Sequence, residues 1–209
     1  TQHFVKAEAS ASVIANTLML YDLLFGVNKT INSVAAEAVS GVPTRYQSVT
    51  PTDPNYVGGN FLFIQAGGTA IANTAHNHTV CTYTDQGAAG STMPSLAGNP
   101  GAVATIVDRF DMPVGTWFCP LETGDVGIQT LTQIQTSALV ATGVMWFMIG
   151  HPIALIPHPL ANLICVTDGI MTAFNLTRIF DDACLAFIEM PASATTATNY
   201  TGVLMSVSG

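Results

Sequence analysis

His76-Asn77-His78 carries the spacing in this chain best suited to coordination chemistry. In an extended segment, alternation would put both imidazoles on one face, as a two-histidine metal site requires. A third ligand has to come from elsewhere, and the nearest carboxylate in sequence is Asp85. The plainer reading is a polar stretch that opens a strand beside a loop, and that is the expectation. Asp181-Asp182 offers adjacent carboxylates for Ca²⁺ or for acid–base work. Successive strand residues face opposite ways, so a turn before the following apolar run accounts for the pair better. Asp125, between Gly124 and Val126, reads as a turn former whose carboxylate accepts backbone N–H bonds. No Gly-x-Ser-x-Gly elbow, P-loop or dinucleotide-binding glycine pattern is present. The expected sets are therefore catalytic none, cofactor-binding none and metal none, with Gly124, Asp125 and Gly127 as a structural turn.

The elements that would position these residues follow from composition and patterning. The 209 residues suit one domain, or one domain with an elaborated insertion. Only 9% of residues are charged, against roughly 25% in an ordinary soluble protein. The polar surface must be built from Thr, Ser, Asn and Gln, which guards poorly against self-association. Net charge is −8, and the five basic residues Lys6, Lys29, Arg45, Arg109 and Arg178 are scattered, which argues against nucleic-acid binding. Cys81, Cys119, Cys165 and Cys184 form no CxxC pair and read as buried free thiols. The Asn-x-Thr sequons at Asn28, Asn77, Asn175 and Asn199 matter only in a secreted eukaryotic protein. The apolar window 138–156 is broken by Gly150-His151-Pro152 and reads as two buried strands meeting at a corner, not as a membrane span. No signal-peptide pattern opens the chain.

Residues 1–16 suit an extended arm or a first strand, and 16–25 is apolar on every face, so strand and helix stay open there. A long loop is expected over 44–60. Strands are expected at 60–65, 78–85, 117–121, 128–136, 144–149, 160–166, 183–190 and 200–208, and a strand or helix at 102–110. Turns rich in Gly, Pro and Asp separate them. About eight to ten short strands without a long amphipathic helix predict an all-β fold, a β-sandwich or jelly roll with an extended N-terminal segment and long loops. The expected division is 1–57, arm and loop-rich segment, and 58–209, β-sandwich. Trp117, Phe118, Trp146 and Phe147 lie in or beside apolar runs and read as core or subunit interface. One face of 144–149 should be core, and the other should meet a neighbouring subunit or a second layer of the same chain.

Several motifs occur in a telling order. They are Cys81-Thr-Tyr83-Thr-Asp-Gln86; Trp117-Phe-Cys-Pro-Leu121-x-x-Gly124-Asp125-x-Gly127; Ala141-Thr-Gly143; His151-Pro152; and Ile179-Phe-Asp-Asp-Ala-Cys184-Leu-Ala-Phe-Ile188. In this order, over 58–209, the chain resembles a group of tailed-bacteriophage virion structural proteins, the capsid decoration or minor head proteins. The resemblance implies a β-sandwich bound to the outside of an icosahedral head, often as a trimer, with no catalytic residues. Its partners would be its own copies and the major capsid protein, with neither nucleic acid nor membrane. It would be made in the host bacterial cytoplasm and end in the virion. A tail, baseplate or jelly-roll coat subunit is the alternative. A secreted carbohydrate-binding β-sandwich is disfavoured, because the aromatics lie in apolar runs and form no exposed row.

Overall fold

A computed structural model describes residues 2–12, 16–29, 33–103, 109–140, 142–170, 177–191 and 199–208. The expected turn over 192–198 and parts of the 102–110 and 174–180 segments lie outside them. Among the described residues the fold is all-β: thirteen strands in three sheets and one four-residue helix, α1 (Pro100–Val103). No helix among them is long and apolar enough to cross a membrane. Two compact units divide the chain, one of residues 1–23 with 151–209 and one of 24–150. The expected boundary at 57/58 falls inside the second.

The first unit is built on β1 (Gln2–Ala11). The N-terminal stretch is thus a sheet strand, which resolves the choice between arm and strand. β1 pairs antiparallel along residues 6–10 with β10 (Ile164–Asp168), at Gln2 and His3 with β11 (Arg178–Ile179), and along residues 2–11 with β13 (Tyr200–Ser208). A bulge between Phe4 and Lys6 shifts side-chain parity, so Phe4 and then Ala7, Ala9 and Ala11 are buried. Opposite them lie Leu18 and Leu20 of β2 (Asn16–Lys29) and Ile153, Ala154 and Ile156 of β9 (Met145–His158). β12 (Leu185–Pro191) pairs with residues 16–22 of β2. In β2, Leu18, Met19, Leu20, Tyr21 and Asp22 are all buried. A strand covered on both faces loses alternation, which is why periodicity alone did not separate strand from helix there.

In the second unit β4 (Phe61–Ala66) pairs with residues 145–150 of β9. A further sheet has the order β3 (Glu37–Ala38), β8 (Ile128–Thr136), β5 (Asn77–Asp85) and β6 (Gly90–Thr92), with β7 (Leu96–Ala97) also pairing β5. His78 of β5 meets Phe147 of β9 edge-on at 5.8 Å, so the two sheets face each other as layers. Met145, Phe147, Met148 and Ile149 are all at most 5% exposed, so both faces of this part of β9 are covered by the chain itself.

Three expectations are corrected. Residues 117–121 form no strand: Pro113 and Pro120 lack N–H donors, Gly115 has φ +84°, and the one bond to β4 runs from the Cys119 N–H to Leu62 O at 2.8 Å. Gly150-His151-Pro152 does not separate two strands, because the single strand β9 continues through it; proline's fixed φ fits extended backbone and removes only a donor. β10 starts at Ile164, four residues later than expected, and runs on through Thr167 to Asp168.

Gly143 makes its turn under tight constraint. Its φ is +89°, and an added Cβ would lie 2.5 Å from Ala70 O and Ile71 Cα. Gly143→Ala is therefore expected to lower stability by at least about 1–2 kcal/mol from the left-handed backbone alone. Urea unfolding followed by tryptophan emission checks this; an unchanged midpoint would mean that the turn tolerates a side chain.

Candidate functional site

His76 and His78 flank the first residue of β5, and alternation turns both inward; they are 5% and 2% exposed. A register irregularity between His78 and Val80 then shifts the parity, so that Cys81, Tyr83 and Asp85 are also buried. The third member is Asp111, with no exposed surface. It stands in the irregular segment that lies along β4: Ala66 N–H donates to Arg109 O at 2.9 Å, and Asp111 N–H to Ile64 O at 2.8 Å. Backbone pairing thus carries Asp111 to the inner face of β5.

One carboxylate oxygen organises the cluster. Asp111 Oδ2 lies 2.7 Å from His76 Nε2 and 3.1 Å from His78 Nε2. Asp111 Oδ1 accepts the Asn99 N–H at 2.8 Å, and the Asp111 carbonyl lies 3.1 Å from His78 Nε2. His76 Nδ1 donates to Thr74 O at 2.7 Å. Both nitrogens of His76 face acceptors only, which selects the imidazolium. Burial opposes that charge, but the Asp111 bond and charge, with the Thr74 bond, outweigh it and raise the His76 pKa. Burial likewise pushes Asp111 upward, and the two histidines more than reverse it, leaving its carboxyl well below the ordinary range. His78 Nδ1 is buried with no hydrogen-bond partner. The imidazoles stand edge to face, 5.3 Å between centroids. Gly98 closes over the site: its N–H donates to His76 O, and an added Cβ would sit 2.4 Å from His76 Nε2.

The donor atoms of these three residues all lie within 4.8 Å of one another, a grouping that could close around one cation with modest side-chain movement. Asp85, the carboxylate nearest in sequence, does something else. Its Oδ1 accepts the Gly87 and Ala89 N–H groups at 2.8 Å each, capping the turn into β6. Sequence reading missed Asp111 because a separation of 33 residues from His78 carries no periodic signal.

Gly124 and Asp125 form the expected turn. Asp125 N–H donates to Glu122 O at 3.0 Å, with Gly124 at φ +102°. Gly127 is required by close approach, since a Cβ there would meet Val57 O at 2.2 Å. Tyr83 O–H donates to Asp125 Oδ2, Glu122 N–H donates to Tyr83 Oη at 2.9 Å, and Val126 N–H donates to Gln86 Oε1 at 2.8 Å. Burial, then the Asp125 carboxylate, pushes the Tyr83 phenol up to about 12. Two motifs that lie 40 residues apart are therefore bonded to each other. Asp181 and Asp182 lie in a turn closed by Ala183 N–H to Phe180 O at 3.1 Å.

Phe147 is buried, whereas Trp117, Phe118 and Trp146 are half-buried. Phe118 packs on Phe61 at 4.4 Å, and Trp146 lies across Gly67, where a Cβ would meet its Nε1 at 1.7 Å. The four cysteines are free; Cys81 and Cys119 are buried, Cys165 is half-buried and Cys184 is exposed. Burial raises the Cys81 thiol to about 12 and Cys119 likewise upward, so neither is a reactive thiolate. In comparisons with known proteins, no family model, no curated protein and no solved structure matches this chain.

Proposed function

We propose that this chain is a non-enzymatic structural protein of a bacteriophage particle, a capsid decoration or cement protein that stabilises the head through subunit contacts. Strand β13 carries the reading. Eight of its nine residues are exposed, and Val203, Leu204, Met205 and Val207 are 38–55% exposed on both of its faces. Its only strand partner among the described residues is β1. No charge interrupts residues 199–208. Uncovered edge strands are ordinarily shortened, charged or shielded, because they template pairing with another chain. Ile164 and Val166 of β10, on the other edge of β1, are exposed as well. Apolar surface of this kind suits a protein that is covered once assembled.

The occupant of the β13 edge is a second copy of the chain, and the major capsid protein is the partner of the assembled oligomer. A trimer is the state that the resemblance implies. Mixing purified protein with undecorated heads should add density at symmetry axes in a particle reconstruction, and heads without added density would defeat the proposal. The edge itself is tested by Val203→Lys with Met205→Lys. Both side chains are exposed, so folding should be unaffected. Light scattering should show the association constant falling at least tenfold, about 1.4 kcal/mol. A variant that assembles as the natural chain does removes β13 from the interface.

A further inference from the structure

We propose that His76, His78 and Asp111 form a binding site for one transition-metal dication of the zinc class, which would clamp β5 to the segment lying along β4. The proposal is independent of the virion reading, since it concerns a buried site in the second unit.

Three observations carry it. First, the donor atoms converge: Asp111 Oδ2 lies 2.7 and 3.1 Å from the two Nε2 atoms. Ligands about 2.0–2.2 Å from a tetrahedral zinc are separated by roughly 3.3 Å, so the pairs need open by only about 0.2–0.6 Å. Second, the outer bonds that orient two of the three ligands are already made. His76 Nδ1 donates to Thr74 O, and Asp111 Oδ1 is held by Asn99 N–H. A ligating histidine almost always gives its other N–H to such a carbonyl, which fixes the ring and presents the free nitrogen to the metal. Third, His78 Nδ1 is buried and lacks a partner. In the metal-free protein Nε2 carries the proton, because it faces Asp111 O and Oδ2; a cation at Nε2 would replace that proton, and the ring would take the Nδ1–H tautomer.

The protons balance. Binding displaces the Nε2 proton of the His76 imidazolium to solvent and moves the His78 proton from Nε2 to Nδ1. Both imidazoles are then neutral ligands, and the carboxylate stays ionised. Two imidazoles with one carboxylate favour zinc, cobalt or nickel over calcium or magnesium, which take oxygen donors. No fourth His, Cys, Asp or Glu joins the cluster among the described residues, so water completes the coordination.

The test uses the untagged full chain, stripped with EDTA, dialysed, and titrated with Co²⁺ and then Zn²⁺. The expected result is one metal per chain by mass spectrometry after gel filtration, with an intense four-coordinate Co²⁺ visible band that Zn²⁺ abolishes. His78→Gln should weaken binding at least tenfold, while His3→Gln, outside the cluster, leaves it unchanged. Should His78→Gln fail to fold by tryptophan emission, the imidazole NMR signals of the natural chain decide instead. Zinc must shift two histidines and leave His3, His151 and His158 in place. Absence of retained metal, a weak six-coordinate spectrum, or equal binding by His78→Gln overturns the proposal and leaves a cluster bridged by protons alone.

Discussion

Asp111→Ala should be the most destabilising single change in the second unit, at about 3–5 kcal/mol in metal-free buffer. The carboxylate is fully buried and serves both imidazole Nε2 atoms and the Asn99 N–H. Its removal strands three buried donors at once, and each unpaired donor costs about 1–3 kcal/mol. His76 can relieve part of the loss by releasing its proton, which keeps the total below the simple sum. Asp111→Asn separates charge from shape. It keeps one acceptor oxygen but turns an NH₂ group toward a donor, so it should cost about 1–3 kcal/mol. Trp117 and Trp146 both belong to the second unit, so their emission during urea unfolding reports this unit directly. Equal midpoints for Asp111→Ala and the natural chain would show that the cluster does not hold the layers together.

In the first unit the largest expected effect is an acid limb set by His151. Burial lowers its pKa from 6.5 to about 4, and the nearby Asp22 carboxylate opposes the shift without reversing it. Asp22 is itself fully buried and accepts the Cys184 N–H at 2.9 Å. Above pH 6.5 neither the folded nor the unfolded chain binds this proton, and stability from this group is constant. Below it the unfolded chain takes up the proton while the folded chain does not, until the pH reaches about 4. Stability therefore falls as pH drops through that window, by at most about 3 kcal/mol at 1.36 kcal/mol per pH unit. His151→Gln removes the titration and should flatten the fall between pH 6.5 and 4. Amide exchange in residues 16–23 of β2 and in β12 reads the first unit separately. Parallel acid limbs in the two proteins would remove His151 as the cause.

The readable parts of this molecule are those in which local rules and packing agree. His76 and His78 share a face because alternation near β5 puts them there, and Gly124-Asp125 turns because glycine supplies the left-handed φ and the Asp125 N–H closes onto Glu122 O, while the carboxylate accepts the Tyr83 hydroxyl instead of the expected backbone N–H. Asp111 was invisible for a physical reason. It occupies no periodic element, and its place is set by backbone bonds to β4 that leave no mark on its neighbours. The 117–121 segment looked like a strand because aromatic and apolar residues cluster in it; Pro120 within it withholds a donor. β13 alternates as a half-buried strand should, yet both its faces are open, and alternation cannot say which chain covers them.

Strand order also has a consequence for synthesis. The second unit is contiguous, residues 24–150, and holds all its pairing partners once Gly150 has been made. The first unit has to wait. β1 leads the described strands, but its longest partner is β13, with Gln2 opposite Ser208. Closing a loop of that span costs only a little more entropy than closing one half as long, since the penalty grows logarithmically. During translation β1 is therefore the exposed, unpaired strand and the second unit a finished body behind it. Of the described strands β13 is made last, after β10 and β11 are available to occupy the opposite side of β1. Late arrival limits the time for which a partly made chain can join a neighbour in the wrong register.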